Sequence, residues 1–285
     1  MKNKLTRRQM IGRSLLVLGA AAAGYGFLIE PRRLVVERIE VRLRRLPTEF
    51  DGFRIAQLSD IHYGPHMSSA FVREAVEESN KLKPHLAMLT GDFVSHPFGK
   101  PAGMEGARYV VPCAEALQGL RADYGRFAIL GNHDHWNHPA TVRNHLDAVK
   151  FPVLVNQAVT LEKDNARLWL AGVDDIMAGR PDLEKALQRV PAGEPAILLA
   201  HEPDFADHAA KFPVDLQLSG HSHGGQVRLP WLGAPILPLL AQKYPMGLYR
   251  VGNMQLYTNR GLGVIGPPVR FNCPPEITLV TLRAG

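Results

Sequence analysis

Five strand-like segments of this chain each run directly into side chains that can bind a metal ion or carry a proton. These side chains are Asp60 and His62, Asp92, Asn132 and His133, His201, and His221 and His223. Polar groups at the ends of neighbouring strands can meet at one edge of a sheet, so residues far apart in the sequence can form one site. The set combines carboxylate, carboxamide and imidazole groups and contains no cysteine. This mixture favours Mn, Fe, Zn or Co and argues against structural zinc, which prefers thiolates.

The number of candidate ligands indicates more than one metal ion. Seven residues can donate an oxygen or a nitrogen: Asp60, His62, Asp92, Asn132, His201, His221 and His223. One tetrahedral ion needs about four ligands, so the set predicts two ions about 3.5–4 Å apart. Asp60 and His62 are two residues apart, and extended residues with this spacing point the same way. His221 and His223 repeat the spacing, and Asp92 can bridge both ions through its two oxygens.

Taken in order, these motifs resemble those of the calcineurin-like metallophosphoesterases. They are Asp60-x-His62, Gly91-Asp92, Gly131-Asn132-His133-Asp134, His201 and Gly220-His221-x-His223. The resemblance covers residues 52–282. The N-terminal leader and the run from His221 to Gln226 are most similar to the exported or membrane-associated bacterial branch. That branch is related to phosphodiesterases and to UDP-diacylglucosamine pyrophosphatases.

The resemblance implies a role for each motif residue. One ion would be bound by Asp60, His62, Asp92 and His223, and the other by Asp92, Asn132, His201 and His221. A hydroxide between the ions would attack phosphorus in line with the leaving oxygen. His133, next to a ligand, would stabilise the transition state or protonate the leaving group, and Asp134 would hold the His133 ring.

These expectations describe a binuclear metallophosphoesterase that hydrolyses a phosphodiester or a pyrophosphate, with a lipid-linked substrate as one option. A phosphomonoesterase is the alternative within the same chemistry. The non-enzymatic alternative is a membrane-tethered metal-binding or scaffold protein that retains the fold. The presence of His133 disfavours that alternative, because metal binding alone does not require this residue.

Three further residues are candidates for substrate contact. Arg260, in a glycine-rich turn, can clamp a phosphate bidentately, or it is a surface arginine. His135 and His66 follow the third and first motifs and either line the pocket or have no role in it. We predict that three other histidines, His85, His96 and His208, are structural or exposed to solvent and have no role in the site.

The segment 230–241 is apolar, but its three prolines exclude a regular helix or strand. It directly follows the last metal motif. We therefore expect either an apolar flap beside the active site, which meets acyl chains or the membrane surface, or a loop folded into the core.

The elements that must position these residues alternate between strand and helix. Helices are predicted at 68–82, 112–121, 139–149, 182–190 and 203–211, and further strands at 34–43, 153–155, 168–173, 225–229, 247–251, 254–258 and 277–282. Strand–helix units followed by late strands indicate a layered α/β sandwich of two sheets. Combined with the resemblance, this predicts a four-layer αββα sandwich of two mixed β-sheets flanked by helices, of the metallo-dependent phosphatase type.

The N-terminus reads as an export or anchoring signal over residues 1–30, followed by one domain over residues 31–285. Residues 2–13 are basic and residues 15–29 are uncharged, a run that is short for a spanning helix, which needs about 20 apolar residues. The run from Thr6 to Ile11 resembles a twin-arginine signal, and an ordinary basic signal or anchor is the alternative. We expect an exported protein, extracytoplasmic or at the membrane, whose partners are the export machinery, a phosphoester or phospho-anhydride substrate and the membrane surface.

Charge and cysteine content restrict the partners further. The net charge of +6 comes from residues 1–45, which carry +8, whereas residues 46–285 carry −2. The body is therefore not basic, and we expect no nucleic-acid partner. Arginines between 32 and 45 contact lipid headgroups or lie on the solvent face of an edge strand. Cys113 and Cys273 are too few for a disulfide framework, and the sequence leaves open whether they pair.

Overall fold

The computed structural model describes residues 6–95 and 104–285. His96 lies outside these described residues. The helices within them are α1 (Arg7–Gly24), α2 (Ser69–Lys81), α3 (Val110–Leu117), α4 (Asn132–Asn137), α5 (Pro139–Ala148), α6 (Leu183–Leu187) and α7 (Ala206–Ala209). The best-predicted of them is α2. Its cap Ser68 accepts a hydrogen bond from the Phe71 amide, and its buried face carries Val72, Ala75 and Val76.

Eleven strands form two mixed sheets in the described part of the chain. They are β1 (Val35–Leu43), β2 (Arg54–Leu58), β3 (Leu86–Thr90), β4 (Arg126–Ile129), β5 (Gln157–Lys163), β6 (Ala166–Gly172), β7 (Ala196–Leu199), β8 (Leu216–Ser219), β9 (Gly247–Val251), β10 (Met254–Thr258) and β11 (Glu276–Ala284). The first sheet has the order β1-β11-β2-β3-β4, with β2, β3 and β4 parallel. The second has the order β5-β6-β7-β8-β10-β9, with β6, β7 and β8 parallel.

The core is arranged in layers between and outside the two sheets. Inward-facing residues such as Met88, Ile129 and Leu199 pack between the sheets. A second cluster lies between the first sheet and α2, α3 and α5, and a third lies between the second sheet and α6 and α7. The predicted four-layer αββα sandwich of two mixed sheets is confirmed.

Two predicted strands are wrong. Residues 153–155 form only a single bridge, between Val153 and Ala128, and the strand of this region is β5. Residues 225–229 do not form a strand, because Gly225 and Gln226 have φ of 81° and 56°, outside extended geometry. The connection is instead a tight turn that leads into the apolar segment.

The N-terminal helical segment is longer than the uncharged run indicated. It extends as a helix of varying pitch from Arg7 to Arg32, 26 residues, and is long and apolar enough to cross a membrane. A signal sequence near the N-terminus satisfies the same criterion. Strand β1, which follows, is an edge strand of the first sheet, and most of its charged side chains are exposed. This agrees with the interpretation that these arginines lie on the solvent face of an edge strand.

Candidate metal centre

The carboxyl ends of five parallel strands bring the candidate ligands together. In the first sheet β2, β3 and β4 lead to Asp60, Asp92 and Asn132. In the second sheet β7 and β8 lead to His201 and His221. The two sheets meet at these ends: the Gln57 side chain donates to the Ser219 carbonyl (2.9 Å), and the His221 amide donates to the Asp60 carboxylate (2.9 Å). The site therefore lies at the shared edge of the two sheets.

One group of ligand atoms surrounds Asp60, His62 and His223, all of them buried. The Nε2 atoms of His62 and His223 lie 3.0 Å apart, and His223 Nε2 lies 3.4 Å from Asp60 Oδ1. Asp92 joins the group, since its Oδ2 lies 3.4 Å from His62 Nε2. Nitrogen and oxygen donors therefore converge on a volume of the size that a single ion fills.

A second group contains Asp92, His201 and His221. The His201 Nε2 atom lies 3.2 Å from Asp92 Oδ2. The same Asp92 oxygen lies near a ligand atom of each group, so this carboxylate is placed between them. Asn132, buried at the start of α4, adds a carboxamide at the end of β4.

In two of the histidines, one ring nitrogen bonds a backbone carbonyl, and this bond determines which ring nitrogen faces the site. His201 Nδ1 lies 2.6 Å from the Thr90 carbonyl, and His221 Nε2 lies 2.8 Å from the Leu239 carbonyl. A carbonyl only accepts, so both nitrogens are protonated donors and the opposite nitrogens are left to bind a cation. The second bond ties the apolar segment directly to a ligand.

Five of the candidate ligands have left-handed backbone. The φ angles are 48° for Asp60, 47° for His62, 57° for Asp92, 66° for His221 and 49° for His223. We expected extended geometry to point residues two apart in the same direction. Left-handed turns beyond the strand ends bring these side chains together instead. Conformations of this kind cost about 1–3 kcal/mol each and persist where the surrounding structure enforces them.

Two glycines allow this close approach. A Cβ atom on Gly91, itself at φ 95°, would lie 2.6 Å from His201 Nδ1. A Cβ atom on Gly131 would overlap the Asp92 carboxylate and lie 2.7 Å from His201 Nε2. No larger residue fits at either position without displacing a ligand, which explains the Gly-Asp and Gly-Asn pairs.

Burial and charge set the protonation of the site. Burial lowers the pKa of His62 and of His223 well below the usual value, and that of His221 to about 3, so these rings are neutral. Burial raises the pKa of Asp60 to about 6. Burial would also raise the pKa of Asp92, but neighbouring His201 and His133 lower it more, and it lies well below its usual range. Burial lowers the pKa of His201, but the Asp92 and Asp60 charges raise it more, and it lies well above its usual value. Neutral imidazoles and ionised carboxylates are the forms that bind metal, so His201 would release its proton on binding an ion.

The donor atoms fit divalent metal ions. Within residues 6–95 and 104–285, the buried atoms Asn132 Oδ1 and His201 Nε2 have no hydrogen-bond partner by geometry, although a buried polar atom normally has one; His201 Nε2 lies 3.2 Å from the Asp92 carboxylate. His201 belongs to the second group and Asn132 lies at the end of β4, and a cation would satisfy both atoms. The mixed nitrogen and oxygen donors match the divalent ions expected from the sequence, without distinguishing among Mn, Fe and Zn.

His133 lies at the edge of these groups and is less buried than the ligands. Its backbone amide donates to Asp92 Oδ1 (2.8 Å), and its ring centroid lies 4.6 Å from that of His62, edge to face. A ring nitrogen lies within 4.8 Å of ligand atoms of His62 and Asp92. The ring is thus held beside the ligands and partly open to solvent, where a substrate can reach it.

The hydrogen bonds of Asp134 that the structure describes go to backbone amides, and its predicted support of the His133 ring stays a prediction. Its Oδ2 accepts from the amides of Asp92 (2.9 Å) and Gly131 (3.0 Å), and its Oδ1 from those of Phe93 and Val94. These bonds join the loop after β3 to the loop after β4. Burial, together with the nearby Asp92 charge, raises the pKa of Asp134 to about 7.

The contacts of Arg260 argue against the predicted phosphate clamp. Its Nε donates to Glu276, and its terminal nitrogen lies 2.5 Å from Glu37. Two carboxylates therefore neutralise the guanidinium. The arginine that supports the site is Arg270, which sequence reasoning missed. It is fully buried and donates to the carbonyls of Arg260 (2.9 Å) and Gly261 (3.0 Å).

Arg270 holds the loop that packs against Asp60. The amides of Leu262 and Gly263 donate to the carbonyls of Ser59 and Asp60, at 3.0 and 2.7 Å. The sequence does carry one sign of this role, because Arg270 is the only basic residue between positions 261 and 282, in a segment rich in apolar residues and proline.

The remaining predicted residues are placed around this centre. His135 binds Asp174 (2.9 Å), and His66 is exposed at the rim of a cavity. Residues 229–241 form an irregular hairpin, which begins with a bridge between Leu229 and Gly233. Four of its apolar side chains are exposed: Trp231, Leu232, Ile236 and Leu239. This favours the flap over a loop folded into the core. Cys113 and Cys273 are buried free thiols and do not pair.

Comparison with known proteins agrees with this geometry. The family model for calcineurin-like phosphoesterases matches residues 53–225. The chain is 36% identical to the uncharacterized metallophosphoesterase YkuE of Bacillus subtilis, over 99% of each chain. It is 31% identical to the phosphodiesterase YaeI of Escherichia coli, over 98% of this chain and 99% of that one. Among solved structures, a 5'-nucleotidase precursor from Thermus thermophilus aligns with a TM-score of 0.47 and 14% identity, over 74% of this chain and 49% of that one.

The family model covers more than half of the chain, and both named relatives align over nearly its whole length. The motif residues from Asp60 to His223 all lie within the matched range, and the donor groups among them converge at the shared edge of the two sheets. The chain therefore belongs to the calcineurin-like phosphoesterase family and is a metallophosphoesterase.

Proposed function

We propose that this metallophosphoesterase is a phosphodiesterase with two divalent ions that acts outside the cytoplasm at a membrane surface. Its substrates are phosphodiesters or phospho-anhydrides, including lipid-linked ones. The observation that carries the proposal is the pair of buried donor groups that share Asp92.

Each group would hold one ion. Asp60, His62, Asp92 and His223 would bind the first, and Asp92, Asn132, His201 and His221 the second. Mn, Fe and Zn all suit these donors. When bound, such ions supply positive charge to the phosphoryl oxygens and lower the pKa of the attacking water.

His133 is the residue that we assign to the leaving group. It borders the ligands, and its backbone is fixed by Asp92 while its ring is partly exposed. A protonated imidazole at this position donates its proton to the departing oxygen, which would otherwise leave as an alkoxide.

A diester suits this site better than a monoester. A phosphodiester carries one negative charge near neutral pH and a monoester carries about two. Arg260 is neutralised by Glu37 and Glu276, and Arg270 is engaged with backbone carbonyls. Neither arginine is therefore available for the second charge. The similarity to the phosphodiesterase YaeI supports the same choice.

The membrane location rests on two apolar features. The segment Arg7–Arg32 is long and apolar enough to serve as an anchor or an export signal, with the twin-arginine route indicated by Arg7 and Arg8. The exposed hairpin tip at Trp231 offers a second apolar contact.

The test is hydrolysis by the purified full-length protein. We expect Mn²⁺-dependent hydrolysis of bis-p-nitrophenyl phosphate, at a rate at least about tenfold above that of p-nitrophenyl phosphate, and loss of both activities with a chelator. Faster hydrolysis of the monoester would show a phosphomonoesterase. Bound metal without hydrolysis of either substrate would favour a scaffold protein.

A further inference from the structure

A cavity of about 670 Å³ lies between the end of the N-terminal helical segment and the loops of the metal centre. Its lining is mainly apolar and includes Phe27, Leu28, Met67, Phe71, Leu262 and Val264. Arg32 and His66 also border it. No residue assigned to the two ions or to the leaving group lines this cavity, so it is separate from the ligand groups themselves.

One wall of the cavity is fixed to the domain by specific bonds. The buried carboxylate of Glu30 accepts hydrogen bonds from the amides of Asn272 (2.9 Å) and Cys273 (2.5 Å). The Gly26 carbonyl accepts from the Arg270 amide (2.9 Å). A carboxylate buried with two amide donors is a built contact and not an incidental one, so residues 26–32 form part of the folded domain.

The opposite wall belongs to the loops that position Asp60 and His62. Leu262 and Gly263 both line the cavity, and their amides bond the carbonyls of Ser59 and Asp60. Pro65 and His66 line it only three and four residues after His62. At ~3.5 Å per residue, at most ~14 Å of chain separates His66 from that ligand. The cavity therefore lies within the reach of a lipid whose phosphate is at the metal centre.

We propose that this cavity binds an acyl chain of the substrate, so that the site takes a phosphodiester with a long hydrocarbon chain; this rests on the proposed phosphodiesterase function. The cavity is continuous with the apolar N-terminal segment, which indicates a hydrocarbon chain as its occupant. Phe27 and Leu28 line the cavity and also lie at the end of that segment, next to the exposed Ile29. If that segment is inserted in a bilayer, the cavity opens at the depth where acyl chains begin. Burying methylene groups there stabilises the bound substrate.

A pocket-filling variant tests the proposal. Ala70 lines the cavity, is exposed, and is the second residue of α2, so Ala70→Trp fills the space without touching a ligand. The matched control is Ala140→Trp, because Ala140 is exposed and is the second residue of α5. We expect Ala70→Trp to lower kcat/KM at least tenfold on a diacyl phosphodiester in mixed micelles. On bis-p-nitrophenyl phosphate both variants stay within about twofold of wild type.

The wild-type protein separates this proposal from the function on which it rests. Raising the chain length of the phosphodiester from six to sixteen carbons is expected to lower KM progressively. Active enzyme with no dependence on chain length, or equal losses in the two variants, would refute the acyl site and leave the phosphodiesterase intact. No hydrolysis of any phosphoester by wild type would refute the phosphodiesterase.

A binding measurement that needs no turnover completes the test. Metal-free full-length protein is mixed with phosphatidylglycerol vesicles that contain a phosphodiester lipid with a diazirine on its acyl chain, and is then irradiated and digested. Labelling of peptides around 27–32, 65–71 and 262–268, reduced in Ala70→Trp, supports the site. Labelling confined to residues 7–24 would show contact with bulk lipid only and would overturn the proposal.

Discussion

Left-handed backbone at five ligands shows how strongly the surrounding structure determines this centre. Asp60, His62, Asp92, His221 and His223 all adopt it, although together these conformations cost several kcal/mol, at about 1–3 kcal/mol each. Backbone bonds between the loops offset the cost, such as those from the Asp60 and His62 amides to the Gly91 and Asp92 carbonyls, 3.0 Å each. The ligands are therefore preorganised.

At the residue scale, His133→Ala is expected to retain both ions while lowering kcat for the diester about 10²–10⁴-fold, since it removes a general acid. Metal content by mass spectrometry and steady-state hydrolysis measure the two effects. His208→Ala, which removes an exposed histidine on α7, is the control and keeps normal activity. Loss of metal from His133→Ala would identify this residue as a ligand instead.

Asp134→Asn tests the backbone role of this carboxylate. The substitution replaces one oxygen by an amide that cannot accept from the Asp92 or Phe93 amides, so a loop amide loses its partner. We expect metal affinity to fall about 10–100-fold, which is the usual effect of removing a hydrogen bond that orients a metal ligand. At saturating Mn²⁺, kcat should change less. Titration with Mn²⁺ measures both. An unchanged affinity would contradict the role.

At the element scale, the His135–Asp174 bond ties α4, which begins at Asn132, to the loop after β6. Burial lowers the pKa of His135, but Asp174 raises it more, and it lies above its usual value. Burial likewise raises the pKa of Asp174, but His135 and backbone donors hold it below the usual value. The charged pair thus connects the site to the second sheet.

The pH dependence of this pair follows from both shifts. A raised histidine pKa gives stability that is complete below about pH 6.5, the unfolded value, and is lost as pH rises through the folded value. A lowered carboxyl pKa gives stability that is complete above about pH 4 and is lost as pH falls. His135→Gln is therefore expected to cost about 0.5–1 kcal/mol, screened by solvent, between about pH 4 and 6.5.

Thermal unfolding of wild type and His135→Gln across this range measures the cost. The difference in Tm should be largest near pH 5.5 and shrink above pH 7. A difference of the same size at every pH would show that packing, and not charge, connects these elements.

At the scale of the whole molecule, hydrogen bonds connect the apolar hairpin with the metal centre and with the N-terminal segment. The hairpin begins after Arg228, whose amide donates to the Phe271 carbonyl (2.8 Å). Arg270 precedes Phe271 in the chain, and its amide donates to the Gly26 carbonyl of the N-terminal segment. The Leu239 carbonyl at the end of the hairpin bonds His221 (2.8 Å). The hairpin is therefore linked to the N-terminal segment through residues 270–271 and to the metal centre through His221.

This arrangement predicts a loss of membrane action when the hairpin tip is charged. Trp231 and Ile236 are exposed, whereas Leu237 and Leu240 are half-buried, so Trp231→Glu combined with Ile236→Glu spares the fold. We expect at least about tenfold lower hydrolysis of a vesicle-embedded phosphodiester and unchanged hydrolysis of bis-p-nitrophenyl phosphate. The control Leu248→Glu places a negative charge, one where the test variant has two, on the exposed edge strand β9. Equal losses on both substrates would refute the membrane contact.

The sequence alone determined the chemistry of this protein. Metal-binding side chains at five strand ends identify the donors, because residue type sets which atoms can bind a cation and parallel strands bring their ends to one edge. The same holds for α2, whose Ser68 cap and apolar periodicity are local signals. Both depend on short stretches of chain; the structure confirms the helix and its cap, and the ligand roles of the donors stay a prediction.

Only the tertiary structure decided what depends on contacts between distant segments. The backbone role of Asp134, the pairing of Arg260 with Glu37 and Glu276, and the burial of Arg270 all involve partners that the sequence does not indicate. The docking of Glu30 onto residues 272–273 is of the same kind. Hydrogen bonds and charge pairs select partners by position in space, and that position exists only after the two sheets have packed together.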